Sequence, residues 1–178
     1  MNSPIDKLTA VQADITQLQI DAIVNAANTS LLGGGGVDGA IHRKAGPDLL
    51  KECYGLGGCE TGQSKLTKGY ALPAKYIIHT VGPIWHGGEA KEKQLLTSCY
   101  QTALSMASEQ ENINSIAFPA ISCGIYGYPI PEACEIAVST TLAYLAEDNR
   151  LEQVVFVAFD DTIFQQYQDI IKKYSNEI

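Results

Sequence analysis

Short apolar runs alternate along the chain with longer segments of helical periodicity. This alternation does most to restrict what the chain can fold into. Residues 7–12, 20–24, 76–81, 115–118 and 154–159 read as strands, and 63–67 as a weaker one. Strands that are apolar almost throughout are normally covered on both faces. Between them, Ile163, Tyr167, Ile170, Ile171 and Tyr174 form a helical stripe. Leu95, Leu96, Cys99, Ala103, Met106 and Ala107 form a second. Ile130, Cys134, Ala137, Val138, Thr141 and Leu145 form a third, with Pro131 in its first turn, where a missing N–H costs nothing. A further helix begins just after a glycine run and carries Ala40 and Ile41. Such alternation predicts a three-layer α/β domain around a mostly parallel sheet. Its ligands are then expected beyond the carboxyl ends of the strands. No repeat, low-complexity tract or composition shift interrupts the pattern, so residues 1–178 read as one domain, with 1–4 a loose start.

Charge and cysteine content narrow the partners. Twelve basic and twenty acidic residues give a net charge of −8, which disfavours a nucleic-acid polyanion or an anionic membrane. Arg43 and Arg150 are the two arginines, so a bound phosphate is expected to be held without an arginine clamp. The five cysteines are irregularly spaced with no CxxC pair, and no metal site is predicted. Residues 1–8 lack the apolar core of a signal peptide, and no apolar run is long enough to span a bilayer. A reducing, cytoplasmic setting is the simplest expectation.

The most informative stretch is Asn25-Ala26-Ala27-Asn28 followed by Gly33-Gly34-Gly35-Gly36-Val37-Asp38-Gly39. Four successive glycines carry a large conformational-entropy cost. At a strand-to-helix junction they also free several N–H groups to face one anion. Gly34, Gly36 and Gly39 match GxGxxG, but the acid expected about 20 residues on is Glu60, inside another glycine-rich loop. A dinucleotide-dependent oxidoreductase is therefore disfavoured, and no Gly-Lys-Ser/Thr supports a P-loop. Asp38 would repel a phosphate. It suits a sugar hydroxyl or a nucleophilic water beside the phosphates, or, equally, a charge on the helix dipole.

A second loop, Pro119-Ala120-Ile121-Ser122-Cys123-Gly124-Ile125-Tyr126-Gly127-Tyr128-Pro129, occupies the equivalent place after the 115–118 strand. Its glycines let the backbone curl, Ser122 offers a hydroxyl, and Tyr126 can cover a ribose or phosphate or simply pack. Cys123 lacks the nearby arginine of a phosphatase and any placed histidine base, so it reads as a spectator. Asp14 can accept from an exocyclic amine or cap a short helix. Phe159 can stack on a base or join the core, and Asp160 or Asp161 can cap the last helix. His79 reads as a satisfied core histidine, whereas His42 is expected to face the site.

These loops together closely resemble the macrodomain family, in particular the MacroD-like ADP-ribose hydrolases, over nearly the whole chain. The resemblance implies a six-stranded mixed sheet between helices and a cleft for ADP-ribose. Carried over by position, Asp14 accepts the adenine amine, Ile15 gives a backbone contact and Phe159 stacks near the adenine. Gly36 and Val37, with Ser122, Cys123, Gly124, Ile125 and Tyr126, wrap the diphosphate. Asn28 holds the distal ribose, and Asp38 positions or activates water. The implied reaction removes mono-ADP-ribose from acidic protein side chains or deacetylates O-acetyl-ADP-ribose, without cofactor or metal. The implied partners are ADP-ribose esters and mono-ADP-ribosylated proteins, with nucleic acid only as an ADP-ribosylated end. The alternative is a non-catalytic ADP-ribose reader. Cys123 stands where threonine is frequent in the family, and the segment 54–63 is short and glycine-rich.

Overall fold

The computed structural model describes residues 3–177. Six strands form one sheet: β1 (Leu8–Gln12), β2 (Ala22–Ala27), β3 (Ser64–Lys68), β4 (Tyr76–Val81), β5 (Ser115–Pro119) and β6 (Gln153–Ala158). Five helices accompany them: α1 (Gly36–Ala45), α2 (Pro47–Leu56), α3 (Glu92–Ser108), α4 (Ile130–Glu147) and α5 (Asp161–Asn176). The spatial order is β1-β6-β5-β2-β4-β3. All neighbours run parallel except β3 and β4, so the sheet is mixed, as expected.

The alternation of side chains across each strand divides the interior in two. On one face Val24, Ile78, Phe118 and Phe156 pack under α3, α4 and α5 through Leu96, Tyr100, Cys134 and Tyr167. Tyr100, Phe118, Phe156 and Tyr167 make a continuous aromatic row, with successive ring centroids 4.8, 6.2 and 5.1 Å apart. On the other face Ile23, Ala27, Ile77 and Val81 pack under α1 and α2 through Ile41, Leu49 and Cys53. The three layers follow from strands that are apolar on both faces.

Several local expectations shift. Helix α2 was not foreseen: Pro47, next to Gly46, is the first residue of a helix whose Leu49 and Cys53 are fully buried. Strand β2 runs on to Ala27, which places Asn25 inside the sheet rather than in a loop. Strand β6 stops at Ala158, leaving Phe159 outside it and 79% exposed. Of the loose start, Met1 and Asn2 lie outside the described residues. Ser3 and Pro4 are tied down: Ser3 caps a short 3-10 turn (Pro4–Lys7) through hydrogen bonds to Asp6, and Ile5 is buried.

One irregularity of the sheet positions the site. β2 and β5 pair only through Ala22↔Ile116 and Ile23↔Ala117, and then part. The chain leaves β2 toward α1 on one face and leaves β5 toward α4 on the other. This is the topological switch point of an α/β sheet, where a crevice opens at the carboxyl ends.

Candidate active site

The first loop of the crevice is built by Asn28. Its Oδ1 accepts from Ser30 Oγ at 2.7 Å and from the Leu31 N–H at 3.2 Å, while its Nδ2 donates to the Gly33 carbonyl at 3.0 Å. Leu31, with φ 62°, is driven into the core and anchors the loop. Gly33 and Gly36 take φ of 96° and 58°, a left-handed backbone that glycine adopts without penalty. The glycine-rich 54–63 segment braces the loop from outside, where the Cys59 N–H donates to the Thr29 carbonyl at 2.9 Å. Among the described residues the backbone N–H groups of residues 33–38 make no hydrogen bond, and they lie at the amino end of α1, where a helix favours anions.

Asp38 sits in the first turn of α1 and is 4% exposed. Its Oδ1 accepts from Asn25 Nδ2 at 2.9 Å, and His42 Nε2, one turn along the helix, is 3.4 Å from the same oxygen without a hydrogen bond. Oδ2 makes no hydrogen bond among the described residues. It faces Gly34: a Cβ there would lie 3.1 Å from Asp38 Oδ2 and 3.4 Å from Asn28 Nδ2. Asn28 and Asp38 thus converge on one bare stretch of backbone. Burial pushes the Asp38 carboxyl above its ordinary value, against the downward pull of the Asn25 hydrogen bond and of the His42 charge. A carboxylate with one oxygen held and the other free, and with raised basicity, is arranged to orient a water and take its proton.

The second loop is tied to the segment after β4. Ser122, with φ 66°, gives its hydroxyl to the Pro83 carbonyl at 2.7 Å, so that hydroxyl is committed within the protein. The Trp85 N–H donates to the Tyr126 carbonyl at 2.8 Å, and the Trp85 ring packs on Tyr128 at 4.7 Å. The Cys123 N–H is likewise occupied, by the Ala120 carbonyl at 3.2 Å. The N–H groups of Gly124, Ile125 and Tyr126 make no hydrogen bond among the described residues, and Ile125 is 95% exposed at the tip. Burial and the Asp160 charge push the Cys123 thiol up to about 12, which rules it out as a thiolate nucleophile near neutrality.

At the far end, the Ala13 N–H donates to the Ala158 carbonyl at 3.1 Å, bringing Asp14 and Phe159 side by side. Asp14 Oδ1 caps a short 3-10 turn (Ile15–Gln17) by accepting from the Thr16 N–H at 3.0 Å and Thr16 Oγ1 at 2.6 Å. Its other oxygen has no partner among the described residues, so capping and ligand contact are compatible in one side chain. Ile15 is buried, leaving its backbone as the only part able to meet a ligand. Asp160, not Asp161, caps α5, accepting from the Ile163 N–H at 2.9 Å.

Because β1, β6, β5 and β2 are parallel neighbours in that order, the residues singled out in the sequence follow one another along the carboxyl ends of the strands: Asp14 and Phe159, the 119–129 loop, then Asn28 with Asp38. The structure adds a role for Asn25, which the sequence placed in the first loop without assigning it to the site. The available signal was its polarity within an otherwise apolar strand. His42 faces Asp38, by i, i+4 spacing on α1. Among the described residues, no three His, Cys, Asp or Glu side chains converge as a metal ion requires. Among the described residues no helix is long and apolar enough to cross a membrane.

Comparison with known proteins agrees with this architecture. The chain is 53% identical over 175 residues to the ADP-ribose glycohydrolase MACROD2 of Xenopus laevis, covering 97% of this chain and 42% of that protein. It is 52% identical over 168 residues to the O-acetyl-ADP-ribose deacetylase of Klebsiella pneumoniae, covering 92% and 95% respectively. The Oceanobacillus iheyensis macrodomain with ADP superposes with a TM-score of 0.91 at 44% identity, over 96% of this chain and 93% of that one. The Macro domain model matches residues 24–137, a span that holds most of β2, both crevice loops and the Asn28–Asp38 pair, and the chain belongs to the Macro domain family.

Proposed function

We propose that this chain acts as a single macrodomain that binds ADP-ribose in the crevice and hydrolyses ADP-ribose esters. The observation that carries the reading is Asp38: a buried carboxylate of raised basicity, inside a glycine loop, with Oδ1 held by Asn25 and Oδ2 free. A module that only binds would have no need of a costly buried charge beside a phosphate cradle. The names of the frog and Klebsiella relatives, a glycohydrolase and a deacetylase of ADP-ribose compounds, support the same reaction class.

In this reading the adenine lies between Asp14, the Ile15 backbone and Phe159. The diphosphate is held by N–H groups of Gly36, Val37, Gly124, Ile125 and Tyr126, aided by the α1 dipole; Ser122 and Cys123 shape the loop. Neither arginine is needed, which reconciles diphosphate binding with a net charge of −8. Asn28 meets the distal ribose. Asp38 Oδ2 orients a water toward the ester and accepts its proton. One water is added across the C–O bond, giving a free carboxylic acid and ADP-ribose. The acyl part is an acidic side chain of a modified protein, or acetate in O-acetyl-ADP-ribose. The five cysteines are free thiols, in keeping with a reducing, cytoplasmic setting.

The test compares the wild type with Asp38→Ala on an acid-linked mono-ADP-ribosylated protein and on O-acetyl-ADP-ribose. Release is expected from the wild type and is expected to fall by about 10²- to 10⁴-fold in the variant, with ADP-ribose binding retained. Binding without release on either ester would leave a reader module and refute the hydrolase.

A further inference from the structure

Behind Asp38 lies a fully buried polar chain that touches no substrate. Asn25 on β2 and His79 on β4 are register partners, and both are 0% exposed. Asn25 Nδ2 is 2.9 Å from Asp38 Oδ1 and 3.1 Å from His79 Nδ1. His79 Nε2 is 2.8 Å from Thr67 Oγ1 on β3, and the Thr67 hydroxyl donates to the Lys68 carbonyl at 3.2 Å.

The proton positions in this chain are dictated. A carboxylate only accepts, so Asn25 must turn its NH2 group toward Asp38. The second hydrogen of that NH2 then points at His79 Nδ1, which must be bare. The imidazole proton therefore sits on Nε2 and goes to Thr67 Oγ1, whose own hydrogen goes to Lys68. Every donor is used once. The group left over is Asn25 Oδ1, which is buried without a partner among the described residues. An orphaned buried acceptor is costly, and it persists here because turning the amide over would set Oδ1 against two acceptors.

We propose that His79 is a positioning residue for the reaction: through Nδ1 it locks the Asn25 amide with its N–H toward Asp38, and so fixes the orientation and charge state of that carboxylate. The inference rests on the hydrolase reading above. The lock matters most when Asp38 has taken a proton from water. The protonated acid can donate, so it no longer opposes a turned-over amide, and a turned-over amide would hold the proton on Asp38. His79 Nδ1 still opposes it. Burial, and then the nearby His42 charge, push the His79 imidazole down to about 3, so the ring stays neutral throughout the neutral range; Thr67, whose hydroxyl already donates to the Lys68 carbonyl, takes the one ring proton from Nε2 and keeps Nδ1 bare. The other titratable groups facing Asp38 are His42 on its own helix and Cys53 on α2. Burial, followed by the Glu52 and Asp38 charges, pushes the Cys53 thiol up to about 11, so it stays neutral as well.

Two polar substitutions of similar size separate this role from simple core packing. His79→Asn keeps an acceptor near the Nδ1 position and loses the Thr67 end. His79→Gln reaches toward Thr67 and leaves the Nδ1 position empty. Three quantities are read: single-turnover ester hydrolysis, ADP-ribose affinity by calorimetry, and the Asp38 carboxyl titration by carbon-13 NMR in the ligand-free protein. His79→Gln is expected to lose about 10- to 100-fold in rate with affinity unchanged within about twofold. Its Asp38 titration, and the acid limb of its pH–rate profile, are expected to move to higher pH. His79→Asn is expected to stay near the wild type in all three. Equal damage in both variants, a greater loss in His79→Asn, or an unmoved Asp38 titration in His79→Gln would overturn the proposal. The ligand-free titration needs no turnover, so it decides the positioning role even if the wild type hydrolyses neither ester.

Discussion

Replacing Gly39 by alanine sets two physical effects against each other. Gly39 lies in the first turns of α1, where alanine is intrinsically favoured by about 1 kcal/mol. A Cβ at Gly39, however, would lie 2.5 Å from the Gly34 carbonyl oxygen and 3.0 Å from Arg43 Nη1. The arginine tip can swing away. The carbonyl cannot: restoring an ordinary contact of about 3.5 Å requires the glycine loop to retreat by about 1 Å. Overpacking of this kind costs about 1–3 kcal/mol, which offsets the propensity gain and leaves a net loss of about 1 kcal/mol. For a chain of this size that is a fall of about 2–4 °C in Tm. The functional effect is larger, because Gly34 is the surface on which Asn28 and Asp38 converge. A displacement of about 1 Å there is expected to cost about 10²-fold in kcat/KM. Gly55→Ala in α2 is the control, since a Cβ there meets nothing within 4 Å. It is expected to raise Tm by about 2–4 °C with turnover unchanged. Calorimetric unfolding and ester hydrolysis, run on both variants, give the answer. If Gly39→Ala also gains stability and keeps its rate, the close approach of α1 to the glycine loop is not what glycine is for at this position.

Two further expectations concern residues that hold the frame. Burial pushes the Glu92 carboxyl up, but the N–H groups of His86, Gly88 and Ala90 outweigh it and hold it down at about 2. Because the folded value is depressed, the stability from Glu92 is fully present above its ordinary value of 4.5 and is lost as pH falls from there toward 2. The Tm of the wild type should therefore fall more steeply across that window than the Tm of Glu92→Gln; parallel pH profiles would refute the assignment. Arg150 Nη2 lies 2.8 and 2.9 Å from the carbonyls of Ala107 and Gln110 and also meets that of Ile113, closing the end of α3 opposite the crevice. Arg150→Met should cost about 2–3 kcal/mol, or about 4–12 °C in Tm. Ester hydrolysis below the transition should be unaffected, and a loss of activity at constant Tm would contradict a purely structural role.

Local information made much of this protein legible in its sequence. Strand β4 and the three apolar stripes of α3, α4 and α5 were readable because periodicity and burial coincide there. The two loops were readable because glycine-containing stretches between a strand and a helix, joined by asparagines in the first, have few other uses. Helix α2 was obscured by a boundary of two breakers, Gly46 and Pro47, where proline in fact begins the helix. Phe159 was drawn into a strand by its neighbours' apolarity, although the ladder ends one residue earlier.

What residue types could do was thus determined by the sequence alone: an α/β layering, two backbone-rich loops, a carboxylate beside one of them, and only two arginines. Which atoms meet was decided only by tertiary structure. Asn25 and His79 are 54 residues apart and become partners through the β2–β4 register. Asp38 arrives over Asn25 because α1 packs on that face of the sheet. The crevice itself exists because β2 and β5 part after two residue pairs. Hydrophobic pattern specifies which face of a strand is buried, since burial is non-directional and scales with area. Hydrogen bonds between groups distant in sequence are directional, and their geometry exists only once register and helix packing are set.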